Sequence, residues 1–207
     1  MQSPGRLDRL IVFEGIDGAG TTTQARLLAE RIRGENHGVW ETSEPTGNEI
    51  GLLLRSVLAG DTVVTPETVA YLFAADRFEH MFGTGGILEH HSRNEIVVCD
   101  RYKYSSHVYQ SIECDPALVM ELNKPFPDPA CIVFVDLDTE VGAQRLSSRS
   151  RREIYETLTF QDAVREKYLQ EMDRAARSTT VIRVTGSDSE SDVHRNIWEA
   201  LGRTSIL

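Results

Sequence analysis

The chain has 207 residues, 40% of them apolar, and carries 22 Lys and Arg against 32 Asp and Glu, for a formal net charge of −10. That length suits one domain, 1–207, with a proper core, and the apolar share excludes wholesale disorder. The acidic balance argues against a nucleic-acid polymer as partner, since such binding neutralises many phosphates, and no apolar run approaches the roughly 20 residues of a membrane span.

Met1 to Arg9 is polar and holds no signal-peptide core, so the expectation is a soluble, cytoplasmic protein. Leu10-Ile11-Val12-Phe13 is a continuous apolar run, as expected of a strand buried on both faces. A Gly-rich turn follows. The spacing then predicts a helix over Thr22–Arg33, with Ala25, Leu28, Ala29 and Ile32 on one face. Val39–Thr42 is a weaker second strand, and Ile50–Leu58 and Pro66–Glu79 read as helices. Ile96–Cys99 is a third strand, Tyr104–Ile112 a helix, and Lys124–Pro127 a loop. Cys131–Val135 is a fourth strand. A helix begins at Val141–Leu146 and ends in an arginine cluster, and a long helical pattern runs from Ile154 to about Ala176. Val181–Val184 and Val193–Leu201 close the chain as a fifth strand and an amphipathic helix. Strands alternating with helices predict a parallel sheet covered on both faces.

Three cysteines occur, Cys99, Cys114 and Cys131, with no CxxC pair, which predicts neither a zinc site nor a disulfide framework. Cys99 and Cys131 border apolar runs and read as buried. The adjacent His90 and His91 show no metal spacing and read as surface residues.

The Gly-rich turn is Gly15-Ile16-Asp17-Gly18-Ala19-Gly20-Thr21-Thr22. It fits the phosphate-loop pattern at Gly15, Gly20 and Thr22, but Thr21 stands where the pattern has lysine. Small residues let successive backbone N–H groups face a phosphate, and the helix N-terminus adds partial positive charge. Thr22 supplies a hydroxyl suited to Mg²⁺. On these residues alone, a ligand-free strand-to-helix turn stays open as an alternative.

Asp100-Arg101-Tyr102 follows the third strand at the end where parallel sheets gather ligands. It reads either as a metal carboxylate beside a phosphate-gripping arginine, or as an ion pair closing a strand. Phe73 and Arg77 share a helical face at i and i+4, an arrangement that can stack on a base and donate to its carbonyl, or simply a core ring beside a snorkelling arginine. Arg149, Arg151 and Arg152 read as a solvated face or as a lid over transferring phosphates.

Taken in order, Phe13 to Gly20, Ser43-Glu44-Pro45-Thr46-Gly47, Leu72 to Arg77, Asp100-Arg101-Tyr102, Ser105 to Gln110 and Arg149 to Glu156 resemble the thymidylate kinase family over nearly the whole chain. The resemblance implies a P-loop NTPase-type α/β fold with a five-stranded parallel sheet, a lid at about 148–156, a homodimer, and Mg²⁺-dependent transfer of the γ-phosphoryl of ATP to dTMP for dTTP synthesis. It implies that Gly15, Gly18, Ala19, Gly20, Thr21, Thr22 and Thr23 bind the ATP phosphates, with Thr22 and Asp100 at the metal. Phe73 would stack on thymine, Arg77 would bond its O4, Ser106 would sit near N3, and Tyr109 would crowd the 2′ position. Asp17 would reach the sugar 3′-OH or the metal region. Arg101 would hold the acceptor phosphate, with Arg55 as a second candidate, and Glu44 and Gln110 complete the dTMP site. Asp17, Arg101, Arg149, Arg151 and Arg152 are the catalytic candidates.

Two departures bear on this. Ser43 stands where many relatives have Arg before Glu-Pro. Thr21 removes a charge from the phosphate loop, which a lid arginine would have to supply, since a positioned donor is worth about a hundredfold in rate or more. The competing readings are a kinase for another nucleoside monophosphate and a nucleotide-binding homologue without catalysis. Asp100, Arg101 and the three lid arginines argue against the latter, because a pure binder does not need them.

Overall fold

The computed structural model describes residues 5–147, 155, 157–204 and 206. Five strands, β1 (Arg6–Gly15), β2 (Val39–Ser43), β3 (Ile96–Asp100), β4 (Asp128–Asp136) and β5 (Thr180–Thr185), form one sheet in the order β2-β3-β1-β4-β5. Every pairing is parallel. Leu10, Ile11, Val12 and Phe13 are fully buried at the centre of β1, because helices cover both faces of the sheet. The strand is longer than its apolar run, and its first four residues alternate in exposure before the sheet closes over it.

Helix α1 (Thr21–Gly34) follows β1 and buries Ala25, Leu28, Ala29 and Ile32, the stripe its spacing predicts. Next come α2 (Glu49–Leu58), α3 (Pro66–Phe82), α4 (Ile87–Ser92), α5 (Lys103–Glu113) and α6 (Pro116–Asn123). The remaining helices are α7 (Thr139–Leu146), α8 (Leu158–Ala175) and α9 (Glu190–Leu201). The chain leaves β1 for one edge of the sheet and leaves β4 for the other. The C-terminal ends of β1, β3 and β4 therefore open a crevice where parallel sheets bind ligands.

Three expectations change. The long helix begins at Leu158 rather than Ile154, because Thr157 is extended (φ −79°, ψ 141°) and Tyr155 turns its ring onto Phe160, 4.9 Å between centroids. Helix α6 escaped the apolar pattern, although its start has a capping signature: Asp115 accepts from the Ala117 N–H at 2.9 Å, and Pro116 opens the helix. His90 is no plain surface residue. It stacks on Trp40 with ring centroids 4.0 Å apart and hydrogen-bonds Glu95, while His91 meets Asp8 at 2.8 Å. The lid arginines Arg149, Arg151 and Arg152 lie outside the described residues. Cys99, Cys114 and Cys131 are buried and free.

Candidate active site

The turn after β1 sets the floor of the site. Gly18 is left-handed (φ +81°), and a Cβ there would meet the Gly142 carbonyl oxygen at 2.7 Å, so only glycine fits. Gly20 is the N-cap of α1, also left-handed (φ +92°), and faces open space. Among the described residues no side chain caps α1, and its first turn holds no acid. The opening N–H groups of Thr21, Thr22 and Thr23 therefore present uncompensated positive potential, which is what an anion needs.

Asp100 ends β3 beside that helix start. Its Oδ2 accepts from Thr22 Oγ1 at 2.5 Å, while its Oδ1 is buried with no hydrogen-bond partner among the described residues. A buried carboxylate oxygen left unpaired is costly unless something completes it. Among the described residues no three His, Cys, Asp or Glu gather to hold an ion. A hard cation that keeps waters and takes phosphate oxygens needs no such cage, and Thr22 with Asp100 offers the oxygen donors that Mg²⁺ prefers.

Arg101 follows with φ +68°, a strained conformation for an arginine. Its backbone N–H donates to the Phe13 carbonyl at 2.9 Å. Its side chain donates from Nη2 to Asp17 Oδ1 at 2.5 Å and from Nη1 to the Gly15 carbonyl at 3.2 Å. Asp17 is held from its other side by Gln161 of α8, whose Nε2 donates to Oδ2 at 2.8 Å. Beneath them Glu14 is fully buried. It accepts from the backbone N–H of Tyr102 and Ser105 and from the hydroxyls of Ser105 (2.6 Å) and Tyr168 (2.9 Å). Burial pushes its carboxyl up to about 7, and these hydrogen bonds and the Arg101 charge offset only part of that.

Arg77 of α3 is 1% exposed, far from the snorkelling arginine that helix spacing alone allows. Its Nε donates to Glu44 Oε2 at 2.7 Å, its Nη2 to Ser106 Oγ at 3.1 Å, and its Nη1 to Asn123 Oδ1. Glu44 is braced in turn by His80 Nδ1 at 3.0 Å.

These parts share one cleft of about 500 Å³. Asp17, Gly18, Gly20, Thr21, Thr22, Thr23, Glu44, Arg55, Phe73, Arg77, Asp100, Arg101, Tyr109 and Gln110 all line it. Gly15 and Ala19 shape the turn from behind. Ser106 also stands behind the wall, where its hydroxyl accepts from Arg77 rather than facing the cleft. Arg55 donates to the Pro45 carbonyl, and the Tyr109 hydroxyl is buried. Sequence reasoning missed Glu14, Asn123, Arg145, Tyr155 and Gln161. The Asp17–Gln161 pair spans 144 residues, so no local spacing announces it.

The profile of the family described as Thymidylate kinase matches residues 13–197, a span that includes every residue lining this cleft. The chain belongs to the thymidylate kinase family. Relatives carrying that name provisionally include a protein of Treponema pallidum (strain Nichols), 42% identical over 163 residues, 78% of each chain. One from Methanococcus aeolicus is 36% identical over 205 residues, 97% of this chain and 100% of its own. One from Aeropyrum pernix is 35% identical over 206 residues, 94% and 98% of the two chains. No helix among the described residues is long and apolar enough to cross a membrane.

Proposed function

We propose that the chain transfers the γ-phosphoryl group of ATP to dTMP, giving dTDP for dTTP synthesis. The observation that carries this reading is one cleft holding three things: an uncapped helix start, the Arg101 guanidinium, and a buried Arg77 beside Phe73. The N–H groups of the phosphate loop hold the donor phosphates. Arg101 grips the acceptor phosphate, with Arg55 at the same wall. Asp17 aims Arg101 and meets the sugar. Phe73 stacks on the base, Arg77 donates to its O4, and Tyr109 and Gln110 pack along the nucleoside.

Thr22 and Asp100 would hold Mg²⁺, which would supply positive charge beside the donor phosphates. The protein's own share of catalysis is then positioning and electrostatic stabilisation. The lid arginines Arg149, Arg151 and Arg152 supply the charge that Thr21 does not. The enzyme works as a single-domain cytoplasmic protein and as a homodimer, and the support for the dimer is the exposed apolar surface of α2 and α3, with Leu52 56% and Tyr71 54% exposed.

Steady-state turnover with ATP, Mg²⁺ and a panel of monophosphates tests the reading. The expected order is dTMP, then dUMP, with dCMP far behind, because Arg77 donates and cannot accept from a 4-amino group. Equal turnover of dCMP and dTMP sinks the base assignment. Nucleotide binding without turnover of any monophosphate assigns the chain instead to non-catalytic homologues.

A further inference from the structure

Asn123 belongs to none of the motifs that mark this family in the sequence, and it sits 46 residues from Arg77. It is the last residue of α6, a helix packed against α3 and α5, and it is 3% exposed. Its side chain is tied at both ends. Nδ2 donates to the Val119 carbonyl at 2.8 Å, one turn back on its own helix, and Oδ1 accepts from Arg77 Nη1. Guanidinium only donates, so the oxygen must face Arg77 and the amide orientation is fixed by chemistry.

The three guanidinium nitrogens form a triangle. Glu44 holds the Nε corner and Ser106 the Nη2 corner. With these two corners held, the plane keeps only the tilt that its flexible Cδ stem allows, and the third corner limits it. That third corner is held by Asn123 alone among the described residues. The rings of Tyr102 and Phe126, each 5.6 Å from Cζ, enclose the group without fixing its donor directions. Three of the five N–H groups are thereby used. One remains on each terminal nitrogen, and Arg77 lines the cleft.

We propose that Asn123 is a positioning residue for base selection: it locks the plane of Arg77 so that the remaining N–H groups meet a carbonyl oxygen and oppose an amino group. The inference rests on the reading of Arg77 as the base-contacting residue. The amide oxygen suits this task better than the Ser106 hydroxyl. The hydroxyl rotates and can donate, whereas the amide oxygen is an acceptor pinned to its own helix. A site whose donor is free to swing can turn toward either base and discriminates less, since rejection comes from leaving buried groups unpaired.

The test compares Asn123→Ala, Asn123→Asp and Arg77→Lys, with kcat and KM for dTMP and dCMP, circular dichroism, and thermal melting. Asn123→Ala removes the acceptor. It is expected to raise the dTMP KM about thirtyfold, with kcat changed far less, and to narrow the dTMP-to-dCMP ratio. Asn123→Asp keeps the acceptor for Arg77 but loses the donor to Val119. It should melt lower than wild type yet keep the dTMP KM within about threefold and keep the ratio. A purely structural role would make both effects follow melting temperature. Should Asn123→Ala fail to fold, Asn123→Leu, close in volume and without an acceptor, is read in its place with the same expected narrowing of the ratio. Discrimination retained in Asn123→Ala, or lost in a folded Asn123→Asp, overturns the proposal. Arg77→Lys locates any other failure. If it leaves the ratio unchanged, the base reading itself is wrong and the role of Asn123 goes with it. If it collapses the ratio while Asn123→Ala does not, only the positioning role is rejected.

Discussion

Arg101 Nη2 lies 2.5 Å from Asp17 Oδ1 and so ties the loop after β3 to the loop after β1, across 84 residues of sequence. Neither group is fully buried, at 21% and 20% side-chain exposure, so the pair stays open to a ligand while each partner sets the other's direction. Arg101 also holds its left-handed backbone, which an Ala would share and a Gly would not resent. Arg101→Ala and Arg101→Gly are both expected to lose about 10³-fold or more in kcat/KM for dTMP. In urea unfolding, Arg101→Gly should be the more stable of the two by about 1 kcal/mol. Equal stabilities would mean the backbone is not strained at this position.

Glu14 makes stability depend on pH. Its carboxyl titrates at about 7 when folded, against an ordinary value of 4.5, because burial disfavours the charge. The native state therefore binds a proton more tightly than the unfolded chain. This contribution is fully present below about 4.5 and is lost as pH rises through about 7, a change on the order of 3 kcal/mol. Glu14→Gln keeps one oxygen for the Tyr102 and Ser105 N–H groups and cannot ionise. Chemical denaturation from pH 5 to 8 should show that this component of the slope disappears in the variant. An unchanged slope would falsify the assignment.

Thr21 is 5% exposed and lines the cleft, in a loop already built around a short side chain. If a lid arginine carries the missing charge, replacing Arg149, Arg151 or Arg152 with Ala should, for the critical one, lower kcat by about 10³-fold with a smaller change in dTMP KM. Thr21→Lys should bring no large gain, because its new charge duplicates the lid's. Measurable wild-type turnover left intact by all three lid substitutions eliminates the compensation.

Apolar side chains of α2 and α3 face solvent, among them Leu52, Leu53, Tyr71 and Phe78. A second copy of the chain is the proposed cover. Light scattering at micromolar concentration should give about twice the chain mass, and Leu52→Asp combined with Tyr71→Asp should halve it. A monomer in the wild type rejects the dimer.

The order of the five strands and of most helices was legible because each of those elements carries a local signal. The run Leu10 to Phe13 marks a strand buried on both faces, and the spacing of Ala25, Leu28, Ala29 and Ile32 marks a helix on a sheet. Helices α4 and α6 were overlooked, α4 because it is only six residues long and α6 because its apolar periodicity is weak, though Asp115 and Pro116 mark its start. The start of α8 was misplaced because Tyr155 fits a helical pattern yet packs as a turn residue on Phe160.

The phosphate loop was equally local. Glycines at 18 and 20 permit backbone angles that other residues avoid, and eight consecutive residues contain the whole device. What only the tertiary structure decided is where the side chains of the site point. Arg77 reads from the sequence as either a surface or a base-contacting residue, and it is the packing of α6 and the loop after β2 against α3 that buries it on Asn123 and Glu44. Gln161 meets Asp17 only because α8 returns to the end of β1. Such hydrogen bonds join residues 33 to 144 positions apart, and their energy depends on distances that no periodicity along the chain encodes.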